Sequence, residues 1–156
     1  MTSYADAAQD IDANSRTITS NEAFKLESTW TFVTGTTGAT GAHTLFTVTG
    51  NVLVSVFGVC DTNLTGAATF EVGVASNVAQ LIARIADATT LDDGDVYVDA
   101  DTEVGAGAIP AMQVLNDGTD IILTIGATAV TAGVVDFYCL WRPLSSTGNV
   151  TVTTPA

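Results

Sequence analysis

His43, Cys60 and Cys139 are the side chains from which a nucleophile and its base could be assembled. A nucleophilic site needs a base within hydrogen-bond reach and a third group to orient that base. With a single histidine, the only thiol pairs are Cys60–His43 and Cys139–His43. Both cysteines lie inside apolar runs, where a thiol behaves as a small hydrophobe, so both are expected to be buried and free, with a disulfide between them as the alternative. His43 follows a glycine-rich loop at the mouth of a strand and reads as a surface residue. No Gly-x-Ser-x-Gly elbow occurs, and the loop of residues 35–41 has no lysine after its last glycine, which excludes a phosphate-binding loop. Seventeen acidic residues make carboxylate pairs of the glycosidase kind easy to draw, so such pairs select nothing. One histidine and two buried-looking thiols do not predict zinc. Catalysis is not expected.

The acidic run Asp92, Asp93, Asp95, Asp99, Asp101 and Glu103 is the one candidate for an ion. If residues 96–100 are extended, alternation puts Asp95, Asp99, Asp101 and Glu103 on one face. Four such carboxylates would take calcium, a hard cation with oxygen ligands. The spacing lacks the glycine and closing glutamate of an EF-hand. A solvated edge, kept from pairing by its charge, is the simpler expectation.

Tyr138 and Leu140 point to binding rather than chemistry. In residues 133–144, Val135, Phe137, Cys139 and Trp141 share one face, and Asp136, Tyr138, Leu140 and Arg142 share the other. An outward strand face ordinarily carries Thr or Lys at such positions. Uncovered, Tyr138 and Leu140 would form an interface; covered, they would be core.

The elements that position these residues read as strands. Residues 29–34 alternate with Trp30 and Phe32 on one face, and Phe46 and Val48 oppose Leu45 and Thr47 in the next run. Residues 51–60 are apolar on both faces, which predicts a central strand covered on both sides. Phe70, Val72 and Val74 oppose Glu71. Val78, Leu81, Ile82 and Ile85 fit a helical stripe, but a strand that turns Leu81, Ala83 and Ile85 inward, after a turn at Ser76-Asn77, is favoured by its neighbours. Short strands follow at 96–100 and 109–115, the second with Pro110 near an edge. Asn116-Asp117-Gly118 is a tight turn into residues 120–125, and residues 149–154 alternate as a final strand. About nine or ten strands at this spacing predict an all-β fold, an antiparallel β-sandwich of jelly-roll type, with a closed barrel as the alternative. Residues 24–156 form this single domain, and residues 1–23, polar and acidic, form an N-terminal arm. The two tryptophans read as buried, leaving Tyr4 and Tyr97 as the exposed aromatics.

Composition sets the limits on partners. The 156 residues are 47% apolar and enough for one core without metal or disulfide. The net charge is −13, and Arg16, Lys25, Arg84 and Arg142 are scattered, so nucleic-acid binding, which needs clustered cations, is excluded. No apolar stretch approaches a membrane span, and residues 1–21 have neither the basic nor the apolar part of a secretory signal, which predicts folding in a cytoplasm.

Three runs carry a resemblance: HTLFTVTGNVLVSVFGVC (43–60), FEVGVASNVAQLIARI (70–85) and NDGTDIILTIGATAVTAGVVDFYCLWRPLSSTGNV (116–150). In texture and order, residues 30–150 resemble the small virion proteins of tailed phages, some of them similar to capsid cement or decoration proteins. The resemblance implies a sandwich that forms homo-oligomers, often trimers, and clamps the major capsid protein from outside the head. It implies no catalytic residue and no cofactor. A carbohydrate- or receptor-binding sandwich of a fibre or tail is the alternative, and would show aromatics on exposed loops.

Overall fold

The computed structural model describes residues 23–155, so the arm expected over residues 1–23 lies outside the described residues except for Ala23, and so does Tyr4. The described chain is all β apart from one short 3-10 turn (Ala88–Thr90). Its eleven strands are β1 (Phe24–Thr31), β2 (Gly41–Thr49), β3 (Val52–Thr65), β4 (Thr69–Val74), β5 (Asn77–Ile85), β6 (Asp95–Tyr97), β7 (Thr102–Val104), β8 (Gln113–Leu115), β9 (Ile121–Gly126), β10 (Ala132–Pro143) and β11 (Asn149–Val152). They form two antiparallel sheets. One runs β1-β10-β3-β6-β7, with β8 also on β3; the other runs β11-β2-β9-β4-β5.

This order follows from rolling up one long hairpin. Laid flat, the chain turns at the β4–β5 tip and pairs β3 with β6, β2 with β9 and β1 with β10. Rolling that ribbon brings β10 onto β3 and β9 onto β4, closing the two sheets. The result is a jelly roll, with β11 added beside β2.

Alternation fills the space between the sheets. The inward residues of β10, Val135, Phe137, Cys139 and Trp141, are buried, as are Trp30 from β1, Val52, Val54 and Val56 from β3, and Ile121, Leu123 and Ile125 from β9. Phe70 sits at the centre, with ring centroids of Phe32, Tyr97 and Phe137 at 5.6, 5.5 and 6.2 Å. Tyr97 is fully buried, against the expectation of exposure, because Asp95 and Tyr97 are the inward residues of β6. Its hydroxyl crosses the core and lies 2.9 Å from the Phe70 carbonyl and 3.1 Å from that of Ala83. Those carbonyls flank a break in the β4–β5 ladder, where the register slips between Phe70/Ile85 and Val72/Ile82. A tyrosine from one sheet thus supplies the donor that the bulged ladder of the other lacks.

Two slips in this ladder explain the helix-like pattern of residues 78–85. The bulge between Phe70/Ile85 and Val72/Ile82 turns Ile82 and Ile85 inward at three-residue spacing and leaves Ala83 exposed. A second slip, between Val72/Ile82 and Val74/Asn77, spans Leu81, which is buried beside Ile82. The strand expectation holds, whereas the inward place given to Ala83 does not. The turn is at Ala75 and Ser76, and Asn77 already pairs with Val74. A slip between Thr44 and Phe46 likewise buries both Leu45 and Phe46. The expected strand at 109–115 shortens to β8, and β3, with 14 residues, is longer than β10, with 12. Asn116 to Thr119 closes the expected turn, with a 3.1 Å backbone bond and Gly118 at φ 77°, a conformation that favours glycine.

Candidate interface on the outer face of the first sheet

Strand register brings a mixed apolar and charged surface together across β1, β10, β3 and β8. Glu27 lies opposite Tyr138, which lies opposite Phe57; Lys25 lies opposite Leu140, which lies opposite Ser55. One step further, Arg142 neighbours Leu53, which neighbours Val114. Leu53, Phe57, Val59, Tyr138 and Leu140 are all half-buried, and Val114 is exposed. Tyr138 and Leu140 therefore stand on the outward face as alternation predicts, and β3 brings its own apolar residues beside them.

Tyr138 is held on three sides. Its ring stacks on Phe57 at 5.3 Å and 21°, and the Lys25 ammonium sits 5.7 Å from the ring centroid. Its hydroxyl bonds the Glu27 carboxylate, and this bond, with partial burial and the nearby acids, pushes the phenol up to about 12. Beside this row, Thr29 Oγ1 donates to Asp136 Oδ1 at 2.6 Å. The aromatic pair is fixed before any partner arrives, which lowers the ordering cost of binding.

The face is covered in part. Residues 105–112 return across it, and Ser55 Oγ donates to the Pro110 carbonyl at 2.6 Å, burying Ser55. A side chain at Gly107 would press on Val96 and Val98. The cover brings apolar groups of its own: Ile109 and Met112 are 55% and 39% exposed. Strand β3 is thus central but only half-covered outside, which corrects the expectation of cover on both sides. The apolar second face of residues 51–60 was the signal for Leu53 and Phe57. Nothing in the sequence announced that Ser55 would anchor residues 105–112.

The acidic residues do not form the expected row. Strand β6 ends at Tyr97, and β7 returns against it, pairing Asp95 with Val104 and Val96 with Glu103. Glu103 therefore shares the face of Val96, and Asp95 points the other way, into the core. Asp95 is buried and accepts the Asp92 amide at 3.0 Å, while Asp99 accepts that of Asp101 at 2.9 Å. Local backbone amides take these carboxylates, as in turns generally. Among the described residues no group of three or more His, Cys, Asp or Glu is placed to hold a metal ion.

His43 and the cysteines stand apart. His43 Nε2 lies 2.7 Å from the Ala39 carbonyl, and its ring meets Trp30 edge-on at 5.8 Å. With Trp30, Thr37, Thr44 and Thr153 it lines a cavity of about 450 Å³, and neither thiol lines it. The Trp30 indole N–H already donates to the Thr37 carbonyl at 3.0 Å. Cys60 and Cys139 are buried and free. Burial pushes their thiols up to about 11 and about 12, keeping both protonated near neutrality.

Among the described residues no helix is long and apolar enough to cross a membrane. Comparison of the chain with protein-family models, with curated proteins and with solved structures gives no match.

Proposed function

We propose that the chain is a non-enzymatic virion structural protein, a cement or decoration subunit that binds the outer face of a tailed-phage head and stabilises it. One observation carries the reading: a preorganised aromatic and aliphatic surface, Phe57, Tyr138, Leu53, Leu140 and Val114, lies on a broad sheet face with Lys25 and Arg142 at its margin. Such a surface suits a flat protein partner, here the major capsid protein, whereas small-ligand sites are concave with a few convergent polar groups. Two of the three described Lys/Arg residues stand here, so the acids Glu27 and Asp136 share this face with cations. Jelly rolls recur in viral capsids and also in lectins, so the fold alone does not decide between them. The subunit needs no cofactor, no metal and no nucleic acid in this role, and it reaches the capsid surface after synthesis in the host cytoplasm.

The carbohydrate- or receptor-binding reading has the cavity beside His43 as its best site. Its tryptophan is buried and its indole N–H is already bonded, leaving little aromatic surface for a sugar ring. Antibody labelling of purified virions separates the two. Label over the head supports the proposal; label confined to fibres or tail contradicts it.

A further inference from the structure

Strand β1 has an open edge. It pairs with β10 through eight consecutive residues without a bulge and has no strand partner on its other side among the described residues. The Phe32 amide donates to the Gly133 carbonyl at 2.9 Å, one step beyond the last β1–β10 pair. In an antiparallel ladder, bonded and non-bonded pairs alternate, so the even-numbered residues of β1 bond β10. Lys25, Glu27, Thr29 and Thr31 turn their backbone groups away from it. The bond from Thr37 Oγ1 to the Thr31 carbonyl, at 2.6 Å, confirms this orientation at one end. No proline or bulge blunts the remainder, and such an edge is a template for another strand.

We propose that β1 pairs with β1 of a second copy of this chain, antiparallel about a two-fold axis at Leu26. This register is chosen by charge. It sets Lys25 of each copy opposite Glu27 of the other and Thr29 opposite Ala23, with the outward-turned amides and carbonyls of these residues bonding across the axis. Both charged side chains project from the outer face, where opposite charges directly across a strand pair attract. A shift that centres the axis on Glu27 puts two glutamates together, and one centred on Lys25 puts two lysines together. Glu27 and Lys25 are already held against Tyr138, so both are in place before the second copy docks. The contact is isologous and joins the two first sheets into one. It gives a dimer rather than the trimer that the resemblance implies, and it rests on the β1 edge, independently of capsid binding.

The test is the mass of the full chain in solution by light scattering at tens of micromolar, for wild type and variants. Wild type is expected at about 32 kDa, twice the 16.0 kDa of one chain. Lys25→Pro removes an amide that β10 does not use, so it is expected to keep the wild-type circular dichroism and run at the mass of one chain. Lys25→Glu is expected to weaken the dimer tenfold or more, and adding Glu27→Lys to restore it. The charge pair alone decides the matter should Lys25→Pro fail to fold. Wild-type protein at the mass of one or three chains overturns the proposal. So does a dimer unaffected by Lys25→Pro, or a monomer whose Lys25, Glu27 and Thr29 amides resist hydrogen exchange, which would assign the edge to the chain's own residues 1–22.

Discussion

The Tyr138 ring lies stacked on Phe57 at 5.3 Å, a contact that crosses from β10 to β3 on the outside of the sandwich rather than within it. An aromatic pair in this position contributes little to the core and is available to a partner. Tyr138→Ser is expected to lower stability by only ~0.5–1.5 kcal/mol in a denaturant titration, the scale of an aromatic pair. Its effect on head binding should be much larger, a tenfold loss or more, because central aromatics dominate interface energetics. Equal losses in both measurements would make Tyr138 a structural residue only.

Tyr97 presents the opposite case. Its hydroxyl is the donor for the Phe70 and Ala83 carbonyls at the β4–β5 bulge, in the middle of the core. Tyr97→Phe keeps the ring and leaves those carbonyls without it, costing ~1–3 kcal/mol. For a chain of this size that is a drop in Tm of roughly 2–12 °C. Head binding should be unchanged at temperatures where the variant is folded.

High pH should unfold the protein. Burial raises Cys139 to about 12 and Cys60 to about 11, and it raises Tyr97 well above its ordinary value. A group whose pKa is higher in the folded state favours folding below its unfolded pKa and loses that contribution as pH rises to the folded value. Stability should therefore be flat up to about pH 8.5, the ordinary thiol value, and fall from there toward pH 12. Equilibrium unfolding at stepped pH measures this, and a rise in stability over that range would contradict the assignment. Native protein at pH 8 should also leave both thiols unmodified by an alkylating reagent.

Calcium should do nothing to the melt. Asp95 is taken by the Asp92 amide and Glu103 faces away from it, so the carboxylates do not converge. Neither millimolar calcium nor chelator should move the Tm by a degree. A clear upward shift with calcium would show that these residues rearrange to bind it.

The jelly-roll sandwich was legible because alternation is a local property: Trp30, the inward row of β10 and the Asn116–Gly118 turn each announce themselves in a few residues. Bulges were not legible, since the slips at Thr44/Phe46 and Phe70/Val72 depend on partner strands far away in the chain. That is why residues 78–85 looked partly helical. Tyr97 failed for a related reason: beside Asp95 and Asp99 it reads as surface, yet β6 faces it inward. At the candidate interface, Tyr138 and Leu140 were readable from the pattern of one strand. The contribution of β3 and the clasp of Ser55 on Pro110 needed the register.

The most direct test of the outer face of β1, β10 and β3 as the partner-binding surface is co-sedimentation with assembled phage heads, comparing wild type with Leu140→Glu. Lys25 stands opposite Leu140, so the new carboxylate has a cation beside it and the fold should be retained at a cost of about 1 kcal/mol. Wild type is expected to pellet with the heads while Leu140→Glu, equally folded by circular dichroism, stays in the supernatant. Equal binding of the two proteins would show that this face is not the binding surface.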